Sequence, residues 1–141
     1  MSARTGISGD NMTVSPNEGE SRVFRGGGIS YLRIPAPDPQ EAAAFYRHVF
    51  GWTVDSRRRD PSFEDGSGHV IGHFVPDAAV AGEAGVRPYI YVESVRATLE
   101  RVTASAGVVV DAPYPEGDLC VATFRDPAGN VVGVWQRGSC A

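Results

Sequence analysis

Apolar positions along the chain switch between two periods, and the same succession of periods is written twice. Residues 29–36, ISYLRIPA, alternate every second position, as a half-buried strand does. Residues 38–51 then place Ala42, Phe45, Val49 and Phe50 at helical spacing. The punctuation of that helix is complete, with Asp38 as N-cap, Pro39 at N1, Glu41 at N3 and Gly51 as the stop. Residues 52–59 read as another strand, and residues 62–74, SFEDGSGHVIGHF, as a hairpin. The second half follows the same plan. YIYVES is a strand, and Ser94 caps a helix with Val95, Leu99, Val102 and Ala106 on one face and Gly107 as its stop. VVVDAPY is the next strand, and TFRDPAGNVVGVW, residues 123–135, the second hairpin.

The hairpins align without a gap at an offset of 61, which sets Phe63 on Phe124, Asp65 on Asp126, Gly68 on Gly129 and Gly72 on Gly133. At an offset of 56, Ile34 falls on Ile90, Gly51 on Gly107 and Val54 on Val110. One strand–helix–strand–strand–strand unit is therefore repeated, with the offset changing from 56 to 61 after the second strand. The predicted class is α+β, two βαβββ modules at 28–80 and 87–137 forming a curved mixed sheet around a cavity within a single domain, 28–137. One helix covers only one face of its sheet, so the other faces are left to line that cavity. Residues 1–27, polar and aperiodic, are expected to be a flexible tail, and 138–141 a short C-terminal one.

Composition narrows the chemistry. A formal charge of −4 argues against nucleic-acid binding, and no apolar run approaches the roughly 20 residues of a membrane span. Without a secretory signal core the expected location is cytoplasmic. All 13 basic residues are arginines, which excludes lysine Schiff-base chemistry and a P-loop lysine and hints at a GC-rich bacterial genome. Cys120 and Cys140 have no C-x-x-C spacing, and neither a disulfide nor a metal site is expected from them.

The stretches IPAPDPQEAAAFYRHVFGW and FRDPAGNVVGVW, with the paired modules, resemble the vicinal oxygen chelate superfamily of glyoxalase I, bleomycin-resistance proteins and extradiol dioxygenases. The resemblance implies metal ligands on the first and last strands of each module, a His early in the first and a Glu in the last. Mapped through the motif, those positions are Tyr31, Arg87, Gly72 and Gly133. Two glycines, a permanent cation and a phenol make a poor donor set, so no metal and no cofactor are expected. His69 and His73 would lie about 13 Å apart on a strand, too far for one ion. A slip of one residue in register would bring His73 rather than Gly72 to the cavity.

Strand alternation then assigns the wall. Leu32, Ile34, Ile90, Val92, Val132 and Val134 are expected beneath the helices. Tyr31, Arg33, Gly72, Phe74, Arg87, Tyr89, Tyr91, Gly133 and Trp135 are expected to line a ligand-binding cavity, with Val70 and Val131 beside them. Aromatic walls with one or two arginines suit a flat, partly anionic organic molecule. The predicted function is metal-independent binding of a small aromatic or amphipathic metabolite. The alternatives are a metal-independent isomerase, cyclase or lyase, with a tyrosine as acid and Glu93 or Asp118 as base, and, less favoured, a metal-dependent glyoxalase or dioxygenase. The resemblance also implies a homodimer.

Overall fold

The computed structural model describes residues 22–141; the greater part of the tail expected over 1–27 lies outside the described residues. The first module runs β1 (Tyr31–Pro35), α1 (Pro39–Phe50), β2 (Thr53–Asp55), β3 (Ser62–Glu64) and β4 (Ile71–Val75). The second runs β5 (Tyr89–Tyr91), α2 (Val95–Ala104), β6 (Val108–Glu116), β7 (Leu119–Arg125) and β8 (Val131–Arg137). Each makes a four-stranded mixed sheet, in the order β1-β4-β3-β2 and β5-β8-β7-β6, with the first strand parallel to the last. This is the α+β repeat that the periods predict. None of the described helices is long and apolar enough to cross a membrane.

Local chemistry accounts for the helix ends. The Asp38 carboxylate accepts from the Glu41 backbone N–H at 3.2 Å, Pro39 fits where no N–H is needed, and Gly51 closes α1 at φ 72°. Ser94 caps α2 by accepting from the Ala97 N–H at 3.1 Å. The stop of α2 differs from the expected one. Ala106 takes the left-handed conformation at φ 73°, and Gly107 is there for space: a Cβ on it would sit 2.6 Å from Val102 Cγ1 and 3.0 Å from Arg125 O.

One hydrophobic core serves both modules. Ala42, Phe45, Tyr46 and Val49 of α1 and Val95, Leu99 and Val102 of α2 pack with Phe63, Phe74, Phe124, Val132 and Val134. The Phe45 and Phe124 rings, from different modules, lie 5.9 Å apart. Leu32, Ile34, Ile90 and Val92 pack against the same cluster, as alternation predicts. Because the covered faces share this core, each uncovered face lies on the far side of its own sheet.

The two halves differ by one residue where the gapless alignment has them equal. In the first hairpin Glu64 pairs with Ile71, leaving six residues in the turn; in the second Arg125 pairs with Val131, leaving five. Asp65 N–H donates to Val70 O and Asp126 N–H to Asn130 O, closing the longer and the shorter loop at 2.9 Å each. A one-residue change exchanges the faces of everything beyond it. Gly72 therefore pairs with Leu32, and Phe74 with Ile34, on the helix-covered face, while His73 pairs with Arg33 on the uncovered one. Gly72 and Phe74 thus do not line a cavity. Phe74 is fully buried against Tyr46 and Phe63, and a Cβ on Gly72 would fall 1.9 Å from Leu32 O.

The cysteines also depart from expectation, for they are joined. Cys120 lies opposite Gln136 in the β7–β8 pair, Gly138 turns the chain at φ 95°, and the tail returns to set Cys140 with its Cα 5.0 Å from that of Cys120 as a disulfide. Spacing alone does not reveal this bond, because the approach depends on how the tail folds back along β8.

Candidate functional site

The uncovered faces hold two open depressions, each lined by one module. The wall expected as one surface is divided between them.

On the second module, β5, β8, β7 and β6 present Tyr89, Trp135, Leu119, Val121, Tyr114 and Glu116 around a depression of about 330 Å³. Here the alternation was legible. Tyr89 pairs with Gly133 and Tyr91 with Trp135, so all four share the face assigned to them. Gly133 is required by its neighbour: a Cβ there would lie 2.2 Å from two carbons of the Tyr89 ring, which rests across the strand. Trp135 meets Tyr91 edge to face at a centroid distance of 4.9 Å. Arg87, just before β5, donates to Glu83 O at 3.2 Å. Val131 is buried, its backbone N–H donating to Ala81 O of the linker between modules at 2.9 Å. Partial desolvation raises the Tyr114 phenol above the ordinary tyrosine value, helped by Tyr89, Glu116 and Asp111 and opposed by Arg87.

Leu119 and Val121, opposite Arg137 and Trp135 in an unbroken register, were within reach of alternation but were not assigned to the wall, whereas Tyr114 and Glu116 were not legible. β6 breaks its pairing with β7 between Val109 and Asp111 and again between Asp111 and Tyr114, so simple alternation loses the face.

On the first module, Tyr31, Ser62 and His73 meet the arginine loop, Arg58, Arg59 and Asp60, in a depression of about 430 Å³. The Tyr31 hydroxyl and His73 Nδ1 are hydrogen-bonded at 2.7 Å. Arg33, exposed, is the cross-strand partner of His73. His73 owes this position to the longer turn, which shows in the strand pairing and not in the residue identities.

A buried group joins the modules behind these faces. Asp126 Oδ2 accepts from the Tyr46 hydroxyl at 2.9 Å, and Asn130 Nδ2 donates to Pro35 O at 2.7 Å. Burial raises the Asp126 carboxyl above its ordinary value, while hydrogen bonds from Asn130, Tyr46 and Gly129 act the other way. Burial likewise raises Tyr46 well above an ordinary tyrosine, with the charge and hydrogen bond of Asp126 adding to it.

The donor set does not fit a metal ion. With the observed register, the first- and last-strand positions on the uncovered faces are Tyr31, His73, Arg87 and Gly133. One imidazole bonded to a phenol is not a chelating set, and among the described residues there is no group of three or more His, Cys, Asp or Glu side chains placed to hold an ion.

Comparison with known proteins agrees with this architecture. Residues 31–135 match the glyoxalase-like domain family. A glyoxylase-like domain-containing protein of Didymella fabae is 33% identical over 121 residues, spanning 79% of this chain and 94% of that one. Among solved structures, the fosfomycin resistance protein FosX of Listeria monocytogenes superposes with TM-score 0.65 at 15% identity, over 78% of this chain and 93% of its own. TnmS3, an antibiotic binding protein from Streptomyces sp. CB03234, superposes with TM-score 0.61 at 20% identity, over 79% and 97%. With the paired βαβββ sheets, these matches place the chain in the glyoxalase-like family of the vicinal oxygen chelate superfamily.

Proposed function

We propose that the chain binds a small aromatic or amphipathic organic molecule on the uncovered face of its second module, without a metal. The observation that carries this reading is the aromatic floor: Tyr89 seated on Gly133, with Trp135 and Tyr114 beside it in one depression. Tyr89 and Tyr114 are 44% and 38% exposed, an arrangement that favours ligand contact over a packed interior. A flat ligand gains area by stacking there, and Arg87, close enough to influence Tyr114, orients a negative group. TnmS3, which shares the fold, is an antibiotic binding protein.

Fluorescence tests this directly. Trp52 is buried against Tyr46 and Phe63, whereas Trp135 is partly open, so quenching by aromatic carboxylic acids or polyketide-like compounds should report Trp135. The quenching should vanish in Trp135→Phe, and Arg87→Ala should weaken anionic hits about tenfold, or ~1.4 kcal/mol. A panel in which no compound perturbs Trp135 refutes the reading.

The reading includes a homodimer. Tyr31, Tyr89, Tyr91 and Val108 are all more than 40% exposed, surface that a second copy would cover. Light scattering should give twice the chain mass at micromolar concentration; a single chain mass rules the dimer out. The disulfide argues against the cytoplasmic location expected from the sequence, since such bonds persist mainly in oxidising compartments.

A metal-independent isomerase, cyclase or lyase is the second reading. It is favoured by the Tyr31–His73 contact, which gives a tyrosine acid a partner. Glu93 and Asp118, the bases expected from the sequence, are exposed and share no hydrogen bond with a tyrosine side chain among the described residues.

A further inference from the structure

The first module's depression has a different chemistry from the aromatic floor of the second. Two guanidiniums, an imidazole, a phenol and a hydroxyl face one carboxylate, on a chain whose formal net charge is −4. We propose that this depression is a second binding site, which takes the oxyanion of a carboxylate- or phosphate-bearing small molecule. Arg58 and Arg59 supply charge, and the Tyr31–His73 pair supplies a hydrogen-bond donor.

A proton inventory supports the donor. A phenol and a neutral imidazole together carry two exchangeable protons, and the 2.7 Å contact between them uses one. If the phenol donates to Nδ1, the imidazole keeps its proton on Nε2. If Nδ1 donates to the phenol oxygen, the phenol proton is left over. Either tautomer therefore offers a donor to the depression. Among the described residues, neither side chain makes another hydrogen bond.

The arginines sit on a loop held at several points. Gln40 Nε2, from α1, donates to Ser56 O at 3.4 Å and Arg58 O at 3.3 Å, and Phe74 N–H donates to Pro61 O at 3.0 Å. The competing carboxylates on this face are few. Asp55 is taken by Arg57 at 2.8 Å, an ion pair that holds its carboxyl down at about 2. Glu64 lies opposite Ile71, outside the lining, which leaves Asp60 against Arg58 and Arg59, with Arg33 close by on β1. Guanidinium forks suit carboxylate and phosphate oxygens. No residue is shared with the aromatic floor, so either site can fail alone.

The test is a titration of the full chain with inorganic phosphate and, separately, benzoate, at constant ionic strength against chloride. The signals followed are the imidazole NMR resonances of His73, with His48 and His69 as internal references. His73 should shift saturably with at least one anion while the other two histidines stay still. Response to phosphate alone assigns a phosphate-bearing ligand, and response to benzoate alone a carboxylate. The double substitution Arg58→Gln, Arg59→Gln should weaken binding about tenfold, and Tyr31→Phe about threefold. The proposal is overturned if His73 moves no more than His48 and His69 with either anion, or if the double variant titrates like the parent.

Discussion

Asp126→Ala should remove about 4 kcal/mol of folding stability, with each buried donor left without an acceptor costing about 1–3 kcal/mol before water relieves part of it. The Asp126 side chain is the acceptor for a whole junction. Oδ1 receives the backbone N–H groups of Ala128, Gly129 and Asn130 at 3.1, 3.0 and 2.9 Å. Oδ2 receives the Tyr46 hydroxyl and Asn130 Nδ2, both at 2.9 Å. Asn130 in turn holds Pro35 O and accepts the Ala81 N–H at 2.8 Å, so β1, α1, the linker and the second hairpin meet here. Asp126 is 3% exposed and Tyr46 1%, which leaves little access for replacement by solvent. Tyr46→Phe removes a single donor and should cost only about 1 kcal/mol. Urea unfolding of both variants beside the parent decides the matter. If Tyr46→Phe costs as much as Asp126→Ala, the carboxylate is not the hub described.

Loss of the Cys120–Cys140 bond should cost about 3 kcal/mol, from the loop-closure entropy of a separation of 20 residues. The tail is also fixed by polar contacts. Gln136 Oε1 accepts the Val95 N–H at the start of α2 at 2.6 Å, and Arg96 Nε donates to Cys140 O at 2.6 Å. Reduction should therefore loosen residues beyond β8 while the shared core stays folded. The checks are a thiol count by mass spectrometry and urea unfolding with and without reductant, beside Cys140→Ser. Equal midpoints for oxidised and reduced protein would mean the bond contributes nothing to stability.

Much of the fold was written in periods and caps. Asp38, Pro39, Gly51 and Ser94 act locally, so their roles need no tertiary information. The second module's face was legible for the same reason, since Tyr89, Tyr91, Gly133 and Trp135 follow one unbroken alternation. The first module's face was not. Matching glycines drew the alignment to an offset of 61, yet Ile34 with Phe74 and Ile90 with Val134 show that the last strands correspond at 60. Loop closure, invisible to residue identity, decided the register. Tyr46 was missed because a tyrosine on the helix reads as a boundary residue until Asp126, 80 positions away, gives its hydroxyl a buried acceptor.

The turn of six residues against five has a further implication for how twofold proteins diverge. A single-codon change in a loop transposes the inside and outside inventories of an entire neighbouring strand while altering none of its amino acids. Here it sets an imidazole where the sister half has a bare backbone, and hides an aromatic ring that would otherwise meet solvent. Two related halves can acquire unlike surfaces in one step, provided the interior accepts the transposed set, and the close approach of Leu32 O and the Phe63 ring that a missing Cβ at Gly72 permits is what lets it do so.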